Sequence, residues 1–239
     1  MPRVLLTGSS GGVGRVVGPV LADAGWDVQQ FDLAQGSDLR DPRSVVAAMR
    51  GCAAVVHAGA LAHDSAGSPA DIVATNVLGT WHVLAAAEQC ALSRVVYFSS
   101  AQVFGFAEGE GTPAYLPVDD DHPLRASRPY GMSKRLAEEM CEAWTRRTRI
   151  PTIVLRPVLI LTDQNLPAHS PDTAELGAFV HVDDVAAATL RALTADVHGH
   201  HRLLLCGPGS FDTTRARTTL GWSAARTWNT PAPGRDQTH

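Results

Sequence analysis

Short apolar runs alternate along the chain with longer stretches whose apolar residues recur every three or four positions, and the two periods predict strands and helices in turn. Strands are expected at 3–7, 27–33, 54–58, 94–99, 152–156 and 202–205, and helices at 13–24, 42–50, 71–90, 130–147 and 182–193. Regular strand-helix alternation builds a parallel sheet with helices on both faces, so the pattern predicts a single α/β domain with a doubly wound parallel sheet over 1–239. Asp41 before Pro42 has the chemistry of a helix N-cap, and Gly51 that of a C-terminal stop. Asp38-Leu39 follow Asp32 by six residues, which leaves room for only a very short third strand.

Two stretches break the rhythm: 105–129, rich in Gly, Pro and acidic residues, and 161–178, polar and proline-containing. Both come after strands, at the carboxyl edge where doubly wound sheets hold ligands. They are expected to wall a small C-terminal substrate lobe built from 105–129, 157–180 and 207–226. The polar, Pro-rich tail 227–239 is expected to be loosely ordered.

Charge and composition narrow the partners. A net charge of −4 with no run of Lys or Arg offers no track for a phosphate backbone or an anionic membrane surface. No apolar stretch reaches the ~18 residues needed to span a bilayer. Met1-Pro2-Arg3 leads straight into Val4-Leu5-Leu6, which leaves no room for a signal peptide and predicts a cytoplasmic protein. Four widely spaced cysteines without a Cys-x-x-Cys pair fit reduced thiols. His198, His200 and His201 invite a metal reading, but neighbouring ligands without a carboxylate or thiol partner make an incomplete site. They are read as a solvated turn before Arg202, with no metal.

Chemistry first appears after the first strand. Gly8, Gly11 and Gly14, with Ser10, Gly12 and Val13 between them, form a G-x-x-G-x-x-G turn at the start of a helix. Such a turn lets backbone N–H groups approach a pyrophosphate, and the helix N-terminus favours its charge. Asp32, 18 residues beyond Gly14, closes the second predicted strand. A carboxylate there accepts hydrogen bonds from a ribose diol and repels a 2′-phosphate, which favours NAD over NADP. Arg15 is placed either to soften that preference or to sit in solvent.

Of 20 basic residues, only Lys134 is lysine, and it stands four residues after Tyr130, one of three tyrosines. That spacing puts phenol and ammonium on one helical face. A phenol beside a cation that lowers its pKa toward neutrality exchanges a proton with an alcohol or carbonyl oxygen, as hydride-transfer chemistry requires. Ser99 and Ser100 end the fourth predicted strand, where a hydroxyl can donate to the substrate oxygen or simply form a turn.

Together with Thr7-Gly8 to Gly14, the pieces Asp38-Leu39-Arg40-Asp41, Val56 to Ala60, Asn76 to Thr80, Phe98 to Gly105, Tyr130 to Lys134, Leu155-Arg156-Pro157 and His181 to Asp184 resemble the extended short-chain dehydrogenase/reductases, in particular the NAD-dependent epimerase/dehydratase group. The resemblance implies a Rossmann fold, NAD(H), a small-molecule substrate and a homodimer formed through the helices at 71–90 and 130–147. It implies Tyr130 as acid/base, Lys134 as its tuning cation and nicotinamide-ribose ligand, and Ser100 as the catalytic hydroxyl. It makes Asp38 and Leu39 adenine contacts, although Asp38 equally suits helix capping. Ala58, Gly59 and Ala60 would line the cofactor groove; Asn76 would join the cofactor site and support the active site through its helix, or equally be a structural residue.

Departures from the group's pattern matter as much. Members that eliminate water from nucleotide sugars carry an Asp-Glu pair after the catalytic hydroxyl, and here those positions are Ala101 and Gln102, which argues against dehydration. Only 24 residues separate Arg156 from His181. That leaves little protein to hold a nucleotide, in proportions similar to uronate dehydrogenases. Yet 157–180 contains no Arg or Lys to clamp a carboxylate. The resulting expectation is hydride transfer at an alcohol or ketone carbon of a small sugar-like or secondary-metabolite substrate, touched by Gln102, Val103, Leu159 and His169. The alternatives are a sugar epimerase with tightly held NAD and a non-catalytic dinucleotide sensor.

Overall fold

The computed structural model describes residues 1–106, 110–172, 174–207 and 209–228. Strands β1 (Arg3–Thr7), β2 (Asp27–Phe31), β3 (Ala54–His57), β4 (Arg94–Phe98), β5 (Thr152–Pro157) and β8 (His200–Leu205) form one six-stranded sheet, all parallel, in the order β2-β1-β3-β4-β5-β8. The chain reverses direction of build at β1, whose neighbours β2 and β3 leave it on opposite sides, and ligands bind at the carboxyl edge of such a switch point.

Alternation along the strands explains the two helical layers. Val4 and Leu6 of β1 point to one face, where α1 (Gly14–Asp23) and α6 (Val182–Thr194) bury Val17, Leu21, Val185 and Ala188. Leu5 points to the other, against α2 (Pro42–Met49), α4 (Gly79–Gln89) and α5 (Pro129–Thr148), with Val45, Leu84, Cys141 and Trp144 in the layer. Removal of this apolar surface from water is the main force that holds helices to sheet. A third cluster, including Val103, Phe104, Phe106, Val118, Leu204 and Phe211, joins the segment after β4 to β8 and the loop that follows it.

Several boundaries differ from the pattern for local reasons. β2 stops at Phe31 because the Asp32 carboxylate accepts the Ala34 N–H and opens a 3-10 turn that closes on Gly36 at φ 77°. Among the described residues no strand follows before α2. The helix expected at 71–90 begins earlier, at α3 (Pro69–Ile72), where Ser68 and Asp71 form a reciprocal capping box. It then passes through a π turn, Val73–Leu78, before α4. Segment 157–180 contains two unanticipated short strands, β6 (Ile160–Leu161) and β7 (Val180–His181), paired with each other. α7 (Thr214–Leu220) follows β8. His200 and His201 belong to β8 rather than to a solvated turn: His200 pairs in register with Thr152, whose hydroxyl lies 2.6 Å from its Nδ1. The tail beyond 228 lies outside the described residues.

Candidate active site

The glycine turn is shaped by close approach. A Cβ on Gly8, at φ 71°, would lie 2.6 Å from the Gly59 nitrogen, and one on Gly14 would lie 2.2 Å from the Gly8 carbonyl oxygen. Side chains cannot occupy either place, so turn, helix α1 and the loop after β3 pack backbone to backbone. Gly12, by contrast, has open space where its Cβ would be. Asp32 sits beside the turn, with Oδ2 accepting the Ser10 N–H at 3.1 Å. Arg15 lies with Ser10, Gln30 and Ala34 in a separate, open depression of about 980 Å³ on the outer side of the turn.

Behind the groove runs a buried relay. Gly59 N donates to Thr7 Oγ1 (3.1 Å), Thr7 Oγ1 meets His57 Nδ1 (2.7 Å), His57 Nε2 meets Thr80 Oγ1 (3.0 Å), and Thr80 donates to the Asn76 carbonyl (2.5 Å). Burial, with Lys134 adding to it, drives the His57 pKa down to about 3, so the ring is neutral. Since Thr80 spends its proton on Asn76, the ring proton belongs on Nε2 and Nδ1 accepts from Thr7. The relay fixes the loop that carries Ala58, Gly59 and Ala60.

Asn76 stands in the π turn, 1% exposed. Its Oδ1 accepts from Leu61 N, and its Nδ2 donates to Leu61 O and to Ser133 Oγ, which in turn donates to the Tyr130 carbonyl. Three of the four hydrogen-bonding sites of its side chain tie the β3 loop to α5, and Asn76 is not among the residues that line the cavity. A π turn of this kind re-aims a side chain that a regular helix would misplace.

The first turn of α5 is held by two carboxylates from distant loops. Asp64 accepts the Tyr130 N–H at 2.7 Å, and Glu110 accepts the N–H groups of Ser127 and Arg128 at 2.9 and 2.8 Å. Negative charge there satisfies free N–H groups and suits the helix dipole. Neither residue was among the sequence candidates, because nothing local relates them to α5.

One cavity of about 800 Å³ brings Ser100, Tyr130 and Lys134 together with Val13, Ala58 and Ala60 on one side and Gln102, Leu159 and His169 on the other. Lys134 is 3% exposed and Tyr130 8%. The ammonium donates to the Phe98 carbonyl at 2.7 Å and lies 5.0 Å from the Tyr97 ring centroid and 5.9 Å from that of Tyr130. Burial lowers the Lys134 pKa to about 8, against the pull of Glu138. Burial also raises the Tyr130 phenol to about 12, with the Ser100 hydroxyl drawing it partly back. The expected depression of the phenol toward neutrality therefore does not appear: desolvation outweighs an ammonium already engaged by Phe98. Ser99 Oγ, which also lines the cavity, is buried and has no partner among the described residues.

Val103 is fully buried in the apolar cluster with Phe104, Phe106 and Leu204 and does not line the cavity, because the 3-10 turn Ala101–Phe104 rotates it away from Gln102. Asp38 is turned to its own loop, where it accepts from the Arg40 backbone and guanidinium, while Asp41 caps α2. Leu39 is buried against Gly59 and Gly79. Arg156 and Glu138 form a wholly buried pair at 2.9 and 2.5 Å, and Arg156 also donates to the Asp120 carbonyl.

These features can be set beside known proteins. Residues 4–172 match the family described as NAD dependent epimerase/dehydratase. The chain is 29% identical over 166 residues to a uronate dehydrogenase of Pseudomonas syringae pv. tomato, covering 64% of this chain and 58% of that one. It is 30% identical over 200 residues to a 2-alkyl-3-oxoalkanoate reductase of Stenotrophomonas maltophilia, covering 76% and 58%. It thus spans less than two thirds of the length of these curated relatives. A crystal structure of a short-chain dehydrogenase/reductase superfamily protein from Agrobacterium tumefaciens with bound NAD superposes with a TM-score of 0.77 at 25% identity, over 95% of this chain and 94% of that one. Six parallel strands, a glycine turn at the switch point and a match over most of its length establish that the chain belongs to the NAD-dependent epimerase/dehydratase family.

Proposed function

We propose that the protein is an NAD-dependent oxidoreductase that interconverts a ketone and a secondary alcohol of a small substrate. The observation that carries this reading is a single cavity lined together by the buried Tyr130 and Lys134, by Ser100 and by Val13 of the glycine turn.

The dinucleotide fits the chain's own residues. The open space over Gly12 and the unpartnered Ser99 hydroxyl provide room and a polar contact. Gly8, Ser10, Gly11, Gly12, Val13 and Gly14 would hold the pyrophosphate, Asp32 the ribose diol, and Leu39, Ala58, Gly59 and Ala60 the adenine and groove walls, while the Asp38 carboxylate stays on Arg40. The Asp32 carboxylate favours NAD over NADP. When bound, the nicotinamide supplies or accepts a hydride.

Tyr130 moves the proton at the substrate oxygen. With its pKa raised to about 12 it is protonated at neutral pH, the state required to donate to a carbonyl oxygen during reduction. Ser100 orients that oxygen by a second hydrogen bond. Lys134 holds positive charge below the phenol and favours the phenolate left after donation. Asn76, Asp64 and Glu110 are positioning residues: they fix α5 and its approach to the cavity.

A net oxidoreductase is favoured over an epimerase by the short lobe, which offers little protein to grip a reoriented intermediate. A sensor without catalysis has no use for a buried ammonium beside a buried phenol. The exposed apolar residues Val73, Leu78 and Trp81 along the π turn and α4 support a homodimer through that face. Transfer of deuterium from NADH labelled at the nicotinamide C4 tests the reading: one deuterium should appear at the carbinol carbon of the product. A product labelled only from solvent, or an isomerised substrate with the label still on the dinucleotide, refutes it.

A further inference from the structure

Beyond the triad, the far half of the cavity is chemically distinctive. Its walls are Val158, Leu159 and Ile160 after β5, Ala174 and Ala178 in the following loop, and Phe211 after β8. Phe211 is seated on Phe106 at 6.4 Å, and Phe106 stacks on Phe104 at 5.8 Å, so this wall is backed by the third apolar cluster. The polar groups in this half are Gln102, His169 and Asp172. Among the described residues, Lys134 is the one Lys or Arg that lines the cavity, and its ammonium is bound to the Phe98 carbonyl.

The sequence extends the point. Segments 101–124 and 157–180, which supply most of these walls, contain no Lys or Arg. A carboxylate or diphosphate entering this space gives up its water, finds no bidentate donor among the described lining residues and meets the carboxylate of Asp172. An alkyl or aryl group instead buries its surface against Val158, Ile160 and Phe211 at no electrostatic cost.

Resting on the oxidoreductase reading above, we infer that the substrate is an uncharged ketone or secondary alcohol with an alkyl or aryl arm, not a sugar acid or a nucleotide sugar. Its oxygen lies at Ser100 and Tyr130, and its arm lies against Val158, Leu159, Ile160 and Phe211. In reduction the carbonyl carbon gains a hydride and the oxygen gains the Tyr130 proton. Two electrons leave the dinucleotide, and solvent reprotonates the phenol.

Calorimetric titration of the NAD⁺-loaded protein with methyl 4-oxononanoate and with 4-oxononanoate tests this without turnover, since NAD⁺ cannot reduce a ketone. The ester should bind at least tenfold more tightly than the acid, and neither D-glucuronate nor UDP-glucose should match it. Leu159→Arg, at a cavity-lining position already 38% exposed, should shift the ester-to-acid ratio at least tenfold toward the acid. Binding of the acid, glucuronate or UDP-glucose as tight as that of the ester, or no measurable ester binding, overturns the inference. NADH consumption is scored separately. An ester that binds but is not reduced refutes hydride transfer and leaves the substrate class standing, whereas a reduced acid that outbinds its ester does the reverse.

Discussion

Replacing Lys134 with Met should stabilise the cofactor-free protein while it removes activity. The ammonium is 3% exposed, and its pKa falls from 10.5 to about 8. That depression corresponds to about 3 kcal/mol of native-state penalty on the charged form. Met fills a similar volume without charge, but it strands the Phe98 carbonyl, which now accepts from Nζ at 2.7 Å, at a cost of ~1–3 kcal/mol. The balance is a gain of about 1 kcal/mol at pH 7, or about 2–4 °C in Tm for a chain of this size. The pH dependence is a stricter check. Below pH 8 both folded and unfolded lysine are protonated, and the whole penalty is present. Between pH 8 and 10.5 the unfolded chain binds more protons, so wild-type stability rises with pH, and the advantage of the variant shrinks by about 3 kcal/mol. Urea unfolding of both proteins from pH 6.5 to 10.5, without dinucleotide, measures the difference. A gap between variant and wild type that does not change with pH refutes the argument that burial strains this ammonium.

Gly14→Ala puts a Cβ 2.2 Å from the Gly8 oxygen, so the turn must shift by about 1 Å. NAD at 100-fold its dissociation constant should stabilise the wild-type protein by about 2.7 kcal/mol and the variant hardly at all, as read by thermal melts. Arg156→Met leaves the wholly buried Glu138 with Arg202, 3.6 Å from its Oε2, as the remaining ion-pair partner, at a cost of ~2–3 kcal/mol in chemical denaturation, below the ~3–5 kcal/mol of a fully stranded charge. Adding Glu138→Leu should recover most of that loss, and a double variant no better than the single one contradicts this view of the pair.

How much of this was legible beforehand depends on how local each signal is. The Gly8–Gly14 turn and the Tyr130–Lys134 spacing are fixed within one turn of chain, and the structure brings both to the same sheet edge, with Ser100 beside them. The layer architecture followed from periodicity alone, since Val4, Leu5 and Leu6 must alternate between faces. What escaped is set by contacts distant in sequence. Asp64 lies 66 residues from the N–H that it caps, and Glu110 is 17 residues from Ser127. The π turn at Asn76 exists because Leu61 and Ser133 claim its amide from two sides, and no helical period encodes that. Val103 and His200 were misjudged for the same reason. A 3-10 turn buries the first, and pairing with Thr152 draws the second into β8. The phenol's pKa was misjudged because spacing reveals a neighbouring charge but not the depth of burial around it.

In the proposed NAD-linked interconversion of ketone and alcohol Tyr130 carries the proton, and Tyr130→Phe removes the group that does so. The substitution removes one oxygen from a buried ring and keeps the packing around α5. The variant should fold and still gain thermal stability from NAD, with steady-state kcat/KM for ketone reduction down by about 10²–10⁴-fold. Turnover within a few-fold of wild type would contradict this role for Tyr130.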